Sequence, residues 1–180
     1  SELVGLTDPV GDPVPFTGLT TDFEFTLVAK IPEVVVLTEF NNLFAAVMTQ
    51  PGSSFYLYYD DVPNSVVSSG FGFDDGELVA SGSFAPGQIS SFLATEAETG
   101  IGSFILTGLV DYVNDLYLDP GIEIFNFRAE GTLNLPPLDS TTTSFFDGTV
   151  GEGNYDPIST GNFIQFKADA SSKFAPIPEP

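Results

Sequence analysis

Residues 55–84 read FYLYYDDVPNSVVSSGFGFDDGELVASGSF. Both ends of this stretch alternate. Tyr56, Tyr58 and Asp60 fall on one face of an extended chain, and Phe55, Leu57 and Tyr59 on the other. Leu78, Ala80, Gly82 and Phe84 alternate in the same way against Val79, Ser81 and Ser83. A turn-rich middle separates the two runs, and each run borders an acidic pair, Asp60-Asp61 or Asp74-Asp75. This pattern predicts half-buried strands of an antiparallel sheet.

The same pattern extends outward. Asp22 to Lys30 (DFEFTLVAK) alternates Phe23, Phe25, Leu27 and Ala29 with Asp22, Glu24, Thr26 and Val28, and Pro32 ends it. Val34 to Phe40 is a second strand, closed by Asn41-Asn42. Leu43 to Thr49 is either a strand or a single helical turn, because periodicity cannot separate the two over so few residues. Further strands are expected over Ile89–Ala94, Ser103–Val113, Ile122–Leu135 and Phe163–Ala168, with an edge strand over Ser140–Phe146. Gly108 suggests a bulge. Thr95 to Gly100 reads as an exposed acidic loop, and Asp115–Gly121 and Asn154–Pro157 read as turns. About ten strands with frequent turn signals predict an all-β fold, a two-sheet antiparallel sandwich or jelly roll. The organisation is an extended Pro-rich arm over residues 1–18, a sandwich domain over 19–170, and a tail over 171–180.

Composition agrees. The 180 residues include 18 Phe, 6 Tyr, 18 Gly and 14 Pro but no Trp, a balance of sheet formers and turn residues. Four Lys+Arg stand against 25 Asp+Glu, a formal net charge of −21. No basic stripe exists to displace counterions from phosphates, so nucleic acid is excluded as a partner. The acidity suits divalent cations, salt-rich water or cationic partners, and by itself it keeps the protein soluble and discourages edge-to-edge association of strands. There is no Cys and no His. That removes disulfides, thiolate metal sites, the commonest general base and the usual transition-metal ligand. No run of residues is long and apolar enough for a membrane helix.

Candidate sites are few. Asp60, Asp61, Asp74, Asp75 and Glu77 lie beside turns, where loop carboxylates could supply the oxygen ligands of Ca²⁺. Their spacing is not that of an EF-hand, and solvated loop acids are the plain alternative. Neighbouring Asp residues point to opposite faces of a strand, which does not suit the paired carboxylates of a glycosidase, and no enzyme activity is expected. Tyr56, Tyr58 and Tyr59 offer rings that could stack on sugars or pack within the sheet. In the first 18 residues, Pro9, Pro13 and Pro15 bar a central strand, yet Leu3, Val4, Leu6, Val10, Val14 and Phe16 are too apolar for a solvated tail. Two readings follow: an edge strand or cover on its own domain, or an arm whose apolar residues contact a neighbouring subunit by strand addition.

The end of the chain, Phe174-Ala-Pro-Ile-Pro-Glu-Pro180, resembles the start of the PEP-CTERM sorting signal of exported proteins in Gram-negative, biofilm-forming bacteria. Pro178, Glu179 and Pro180 carry the motif, after the strand and Ser-rich spacer of Phe166 to Pro176. In that family a hydrophobic helix and a short basic end follow. The resemblance therefore implies a chain processed at, or truncated after, the motif. The body is similar to flocculation-associated members at Asp22–Thr26, Tyr58–Asp60, Gly72–Ala80 and Tyr117–Pro120. The resemblance implies an extracellular or cell-surface protein, exported with exopolysaccharide, that supports cell aggregation. Two functions are consistent with these readings. The first is a structural matrix subunit that self-associates, as a filament joined by strand addition. The second is a monomeric, Ca²⁺-assisted polysaccharide-binding module or adhesin.

Overall fold

A computed structural model describes residues 3, 5–7, 12–37, 44–66, 72–96, 99–134 and 165–176. They form strands and turns, with no helix among them. β1 (Leu6–Thr7) and β2 (Pro13–Val14) make a short antiparallel pair of their own. The other strands are β3 (Glu24–Lys30), β4 (Glu33–Leu37), β5 (Phe44–Thr49), β6 (Ser54–Asp60), β7 (Glu77–Phe84), β8 (Ile89–Glu96), β9 (Thr99–Val113), β10 (Ile124–Asn134) and β11 (Gln165–Ala175). They join in a 9-stranded sheet of order β3-β6-β7-β9-β8-β5-β4, with β10 and β11 continuing from the other edge of β9. Every ladder is antiparallel. This is the all-β architecture the sequence predicts, in an arrangement compatible with a sandwich or half-barrel.

The boundaries settle one open choice and carry two corrections. The stretch that periodicity leaves open between a strand and a helical turn is a strand over Phe44–Thr49, β5, paired on both sides with β4 and β8, and Leu43 lies outside the described residues. Much of the expected acidic loop at 95–100 is strand, because β8 and β9 reverse tightly enough for Glu96 to pair with Thr99. The expected tail begins inside the sheet. β11 runs to Ala175 opposite Ile124, and Phe174 sits 4.8 Å from Phe125, so burial of that ring carries the strand up to Pro176. The expected edge strand at 140–146 and the turn at 154–157 lie outside the described residues.

The forked edge of β9 organises the sheet. Thr99–Ser103 pair with β8, whereas Gly108–Val113 pair with β7. Between the two partners, the side chain of Gln88 takes the place of a strand. Its Oε1 accepts from the Thr107 amide at 2.6 Å, and its Nε2 donates to the Thr107 carbonyl at 2.8 Å and the Ala85 carbonyl at 2.9 Å. Thr49 holds the same junction, accepting from the Gln88 amide at 2.9 Å and donating to the Ala85 carbonyl at 3.0 Å. Backbone groups at the fork are thereby paired without a continuous ladder.

One face of the sheet buries Phe55, Phe84, Leu106, Phe125 and Phe127. Phe55 lies at the centre, 4.2 Å from Phe125 and 5.2 Å from Phe84 between ring centroids. Room for it comes from two glycines. A Cβ on Gly82 would meet the Leu109 carbonyl oxygen and the Phe55 ring, and one on Gly108 would come within 3.0 Å of that ring. Gly108 therefore provides clearance for an aromatic ring. The register break lies a step further along, between Ser81 and Gly82 of β7 opposite β9.

The opposite face of β3 and β6 holds a smaller cluster of Val28, Tyr58 and Phe73, with Tyr56 and Leu78 against it. Here the sequence alternation is correct, and its polar set is the buried one. Glu24, Thr26 and Val28 are inside, while Phe25 and Leu27 are half-buried. The chain that crosses from β6 to β7 folds back over this face and makes the polar set satisfiable. Thr26 Oγ1 donates to the Phe73 carbonyl at 2.7 Å. Glu24, only 1% exposed, accepts from the amides of Asn64 and Ser65 at 2.7 and 2.9 Å and from the Ser65 hydroxyl.

Candidate functional site

The N-terminal arm lies against its own domain. The Leu3 amide donates to the Phe25 carbonyl at 2.9 Å, on the edge of β3 that β6 leaves open. A tight turn then brings the chain back. Gly18 has φ 92°, and its carbonyl accepts from the amides of Thr21, Asp22 and Phe23. A side chain at Gly18 would be strained by that φ and would also press on Asp22 and Phe23. Of the expected contact residues, Leu3 is half-buried, Leu6 pairs with Val14 across β1 and β2, and Val14 and Phe16 are exposed. Val4 and Val10 lie outside the described residues.

Phe16 reaches the surface of an aromatic patch. Its centroid is 5.3 Å from Phe23, edge to face, and 6.4 Å from Phe25. Phe25 contacts Tyr59 at 5.2 Å, and Tyr59 contacts Tyr117 at 5.0 Å. Phe16 stays 43% exposed, and the other four rings are half-buried. The Tyr117 hydroxyl donates to Glu77 at 2.8 Å, and Asn114 donates to the second oxygen of the same carboxylate at 2.9 Å. That hydrogen bond, with partial desolvation and the nearby charges of Glu77 and Asp61, pushes the Tyr117 phenol up to about 12. The patch is thus aromatic at its centre and acidic at its rim.

The three expected tyrosines part company. Tyr58 is buried, and burial together with the Asp74 charge raises its phenol to about 12. Tyr56 packs beside it, and only Tyr59 joins the patch.

The five expected acids do not converge. Among the described residues no group of three acids is placed to hold a metal ion. Asp60 accepts from the Val62 amide at 2.9 Å in a local turn, and Asp61 is exposed. Asp74 is buried near Tyr58. Asp75 accepts from the Asn64 side chain at 3.1 Å, and Glu77 is held by Asn114 and Tyr117. Sequence reasoning missed the acid with the most demanding environment, Glu24. Its position in a strand of large apolar residues was the available signal.

A second surface lies on the far side of β9, β10 and β11 from the aromatic core. Ile105 and Leu109 project there, each 59% exposed, and Ile89 at the start of β8 is 69% exposed. Arg128 is paired in register with Ile105, and Lys173 with Asn126. Both cations are exposed. Asn126 accepts from the Thr107 hydroxyl at 2.8 Å between them.

No helix among the described residues is long and apolar enough to cross a membrane. Pro178, Glu179 and Pro180 lie outside the described residues. The fold and surfaces define an acidic, antiparallel all-β protein with an arm on one sheet edge. Comparison with protein-family profiles, curated proteins and solved structures finds no match.

Proposed function

We propose that the chain is a structural, non-enzymatic protein of the extracellular matrix or cell surface of a Gram-negative bacterium. It associates with further copies of itself and supports cell aggregation. The observation that carries this reading is the seating of the N-terminal arm. It meets the open edge of β3 through the Leu3–Phe25 backbone hydrogen bond and lays Phe16 on Phe23 and Phe25. Backbone addition at an edge works identically within a chain or between chains. Opening the turn at Gly18 would let the arm occupy the same place on a neighbour, and a head-to-tail exchange of this kind propagates into a filament. The PEP-CTERM resemblance supports the location.

The test is electron microscopy of the full chain and of a chain lacking residues 1–18. Filaments from the first and single particles from the second are expected. Filaments of normal length from the shortened chain would overturn strand addition.

A second reading, polysaccharide binding, is favoured by the paired Tyr59 and Tyr117 rings beside Glu77. Retention on a neutral glycan column that is lost with Tyr59→Ala would support it.

A further inference from the structure

The two exposed surfaces differ in chemistry and lie on opposite sides of the sheet. Phe55, Leu57 and Tyr59 project to the core side of β6, and β3 brings Phe25 alongside Tyr59. The aromatic patch therefore continues the core face. On β9, Leu106 and Gly108 turn toward that core, while Ile105, Thr107 and Leu109 turn away. One chain cannot bring its own two surfaces together.

We propose that they meet between copies: the acid-rimmed aromatic patch of one chain receives the Ile105–Leu109 face, with Lys173 and Arg128, of the next. The inference rests on the self-association proposed above and adds a second contact to the exchanged arm. Charge selects the partner. With four Lys+Arg against 25 Asp+Glu, most ways of bringing two copies together set acid against acid. Two of the cations share this face with three exposed aliphatic side chains. The patch offers complementary chemistry: ring faces of Tyr59 and Tyr117 for an ammonium or guanidinium group, the carboxylate of Asp61, and apolar area for Ile105 and Leu109. Because the surfaces differ, the contact is heterologous. It leaves one unused surface at each end, and it grows as the arm exchange grows.

The chain contains no cysteine, so directed cross-linking reads the contact without interference. Val62→Cys places a thiol beside Asp61 and leaves its carboxylate in place, and Ile105→Cys places one on the far face, both at exposed positions. Under mild oxidation, a mixture of the two chains is expected to give the mixed 62–105 cross-link at least tenfold faster than either chain cross-links with itself. Adding Lys173→Glu to the Ile105→Cys chain should slow the mixed product severalfold, and Lys173→Arg should restore it. Equal rates for mixed and same-site products would overturn the proposal, as would a mixed product indifferent to Lys173→Glu. A neutral glycan that binds at the patch while the mixed cross-link forms undiminished would show that the patch is not the contact and also overturn it. The arm reading fails separately. Filaments lost on removing residues 1–18, together with unselective cross-linking, would sink this contact and leave strand addition standing.

Discussion

At the scale of single residues, the polar groups inside the sheet are as informative as the apolar ones. Glu24 ends two backbone amides and a hydroxyl that would otherwise be unpaired in a closed environment. Glu24→Gln replaces one acceptor oxygen with an amide nitrogen, which cannot accept from these donors. It should lower unfolding stability by about 1–3 kcal/mol, the usual cost of an unsatisfied buried group, as read from the urea midpoint. Gly82 makes a steric counterpart. Gly82→Ala forces a Cβ onto the Leu109 carbonyl and the Phe55 ring, and overpacking of this kind costs about 1–3 kcal/mol. Ser83→Ala, one step along on the exposed side, should be near neutral, and the difference in melting temperature between the two variants checks the argument. The tyrosines add a pH dependence. Tyr58 and Tyr117 are each raised to about 12 in the fold, against 10.0 for the free phenol. The neutral phenols therefore contribute stability that is fully present below about pH 10 and is lost as pH rises through about 12. A spectroscopic phenolate titration of the native protein should show a late-ionising class. Tyr58→Phe and Tyr117→Phe should each remove one member of that class.

At the scale of elements, strand existence was legible and strand company was not. DFEFTLVAK and FYLYYDD declare themselves through period-two alternation, and β3 and β6 do pair, Phe25 opposite Tyr59. Alternation alone cannot say which set faces inward. In β3 the polar set does, because the segment between β6 and β7 folds over it and supplies amides. That partner lies 40 or more residues away in sequence, beyond the reach of any local pattern. The tail was misjudged for a related reason. Ser and Lys around Phe174 look solvated until Phe125 is placed beside them. The fork in β9 was invisible because its key residue is a single glutamine. Gln88→Ala removes three side-chain hydrogen bonds and leaves the Thr107 amide without its acceptor. Because water can reach the freed groups, it should destabilise the fold by no more than about 1 kcal/mol. The loss is local to the junction of β7, β8 and β9, so hydrogen exchange at Thr107 should quicken in Gln88→Ala before the amides of β6 do. For the candidate site, the sequence singles out the arm and the acids as positions but cannot say which side chains meet. Asp60, Asp75 and Glu77, close in sequence, are held by separate partners, while Phe16, Phe23, Phe25, Tyr59 and Tyr117 come together from three parts of the chain.

At the scale of the whole molecule, charge decides under which conditions copies can approach. Two chains of net charge −21 repel at long range whatever their contact surfaces offer at short range. The repulsion acts over a Debye length of about 30 Å in 0.01 M salt and about 8 Å at 0.15 M. The apolar and cation–ring contacts proposed here act within a few ångströms, so screening removes the opposing interaction first. Light scattering should therefore rise as NaCl increases from low to physiological concentration, the reverse of an assembly held mainly by ion pairs. At higher salt the Lys173 contribution is screened in its turn, and the aliphatic contact and the arm should keep the scattering from falling back to its low-salt value. Ca²⁺ separates screening from specific bridging. Asp60, Asp75 and Glu77 are held by separate partners, and no three acids among the described residues are placed to share an ion, so CaCl₂ and NaCl at equal ionic strength should promote association to a similar degree. An effect of Ca²⁺ well beyond that of matched NaCl, reversed by a chelator, would show that carboxylates from two chains share the ion, and the screening argument would then be the wrong account of assembly.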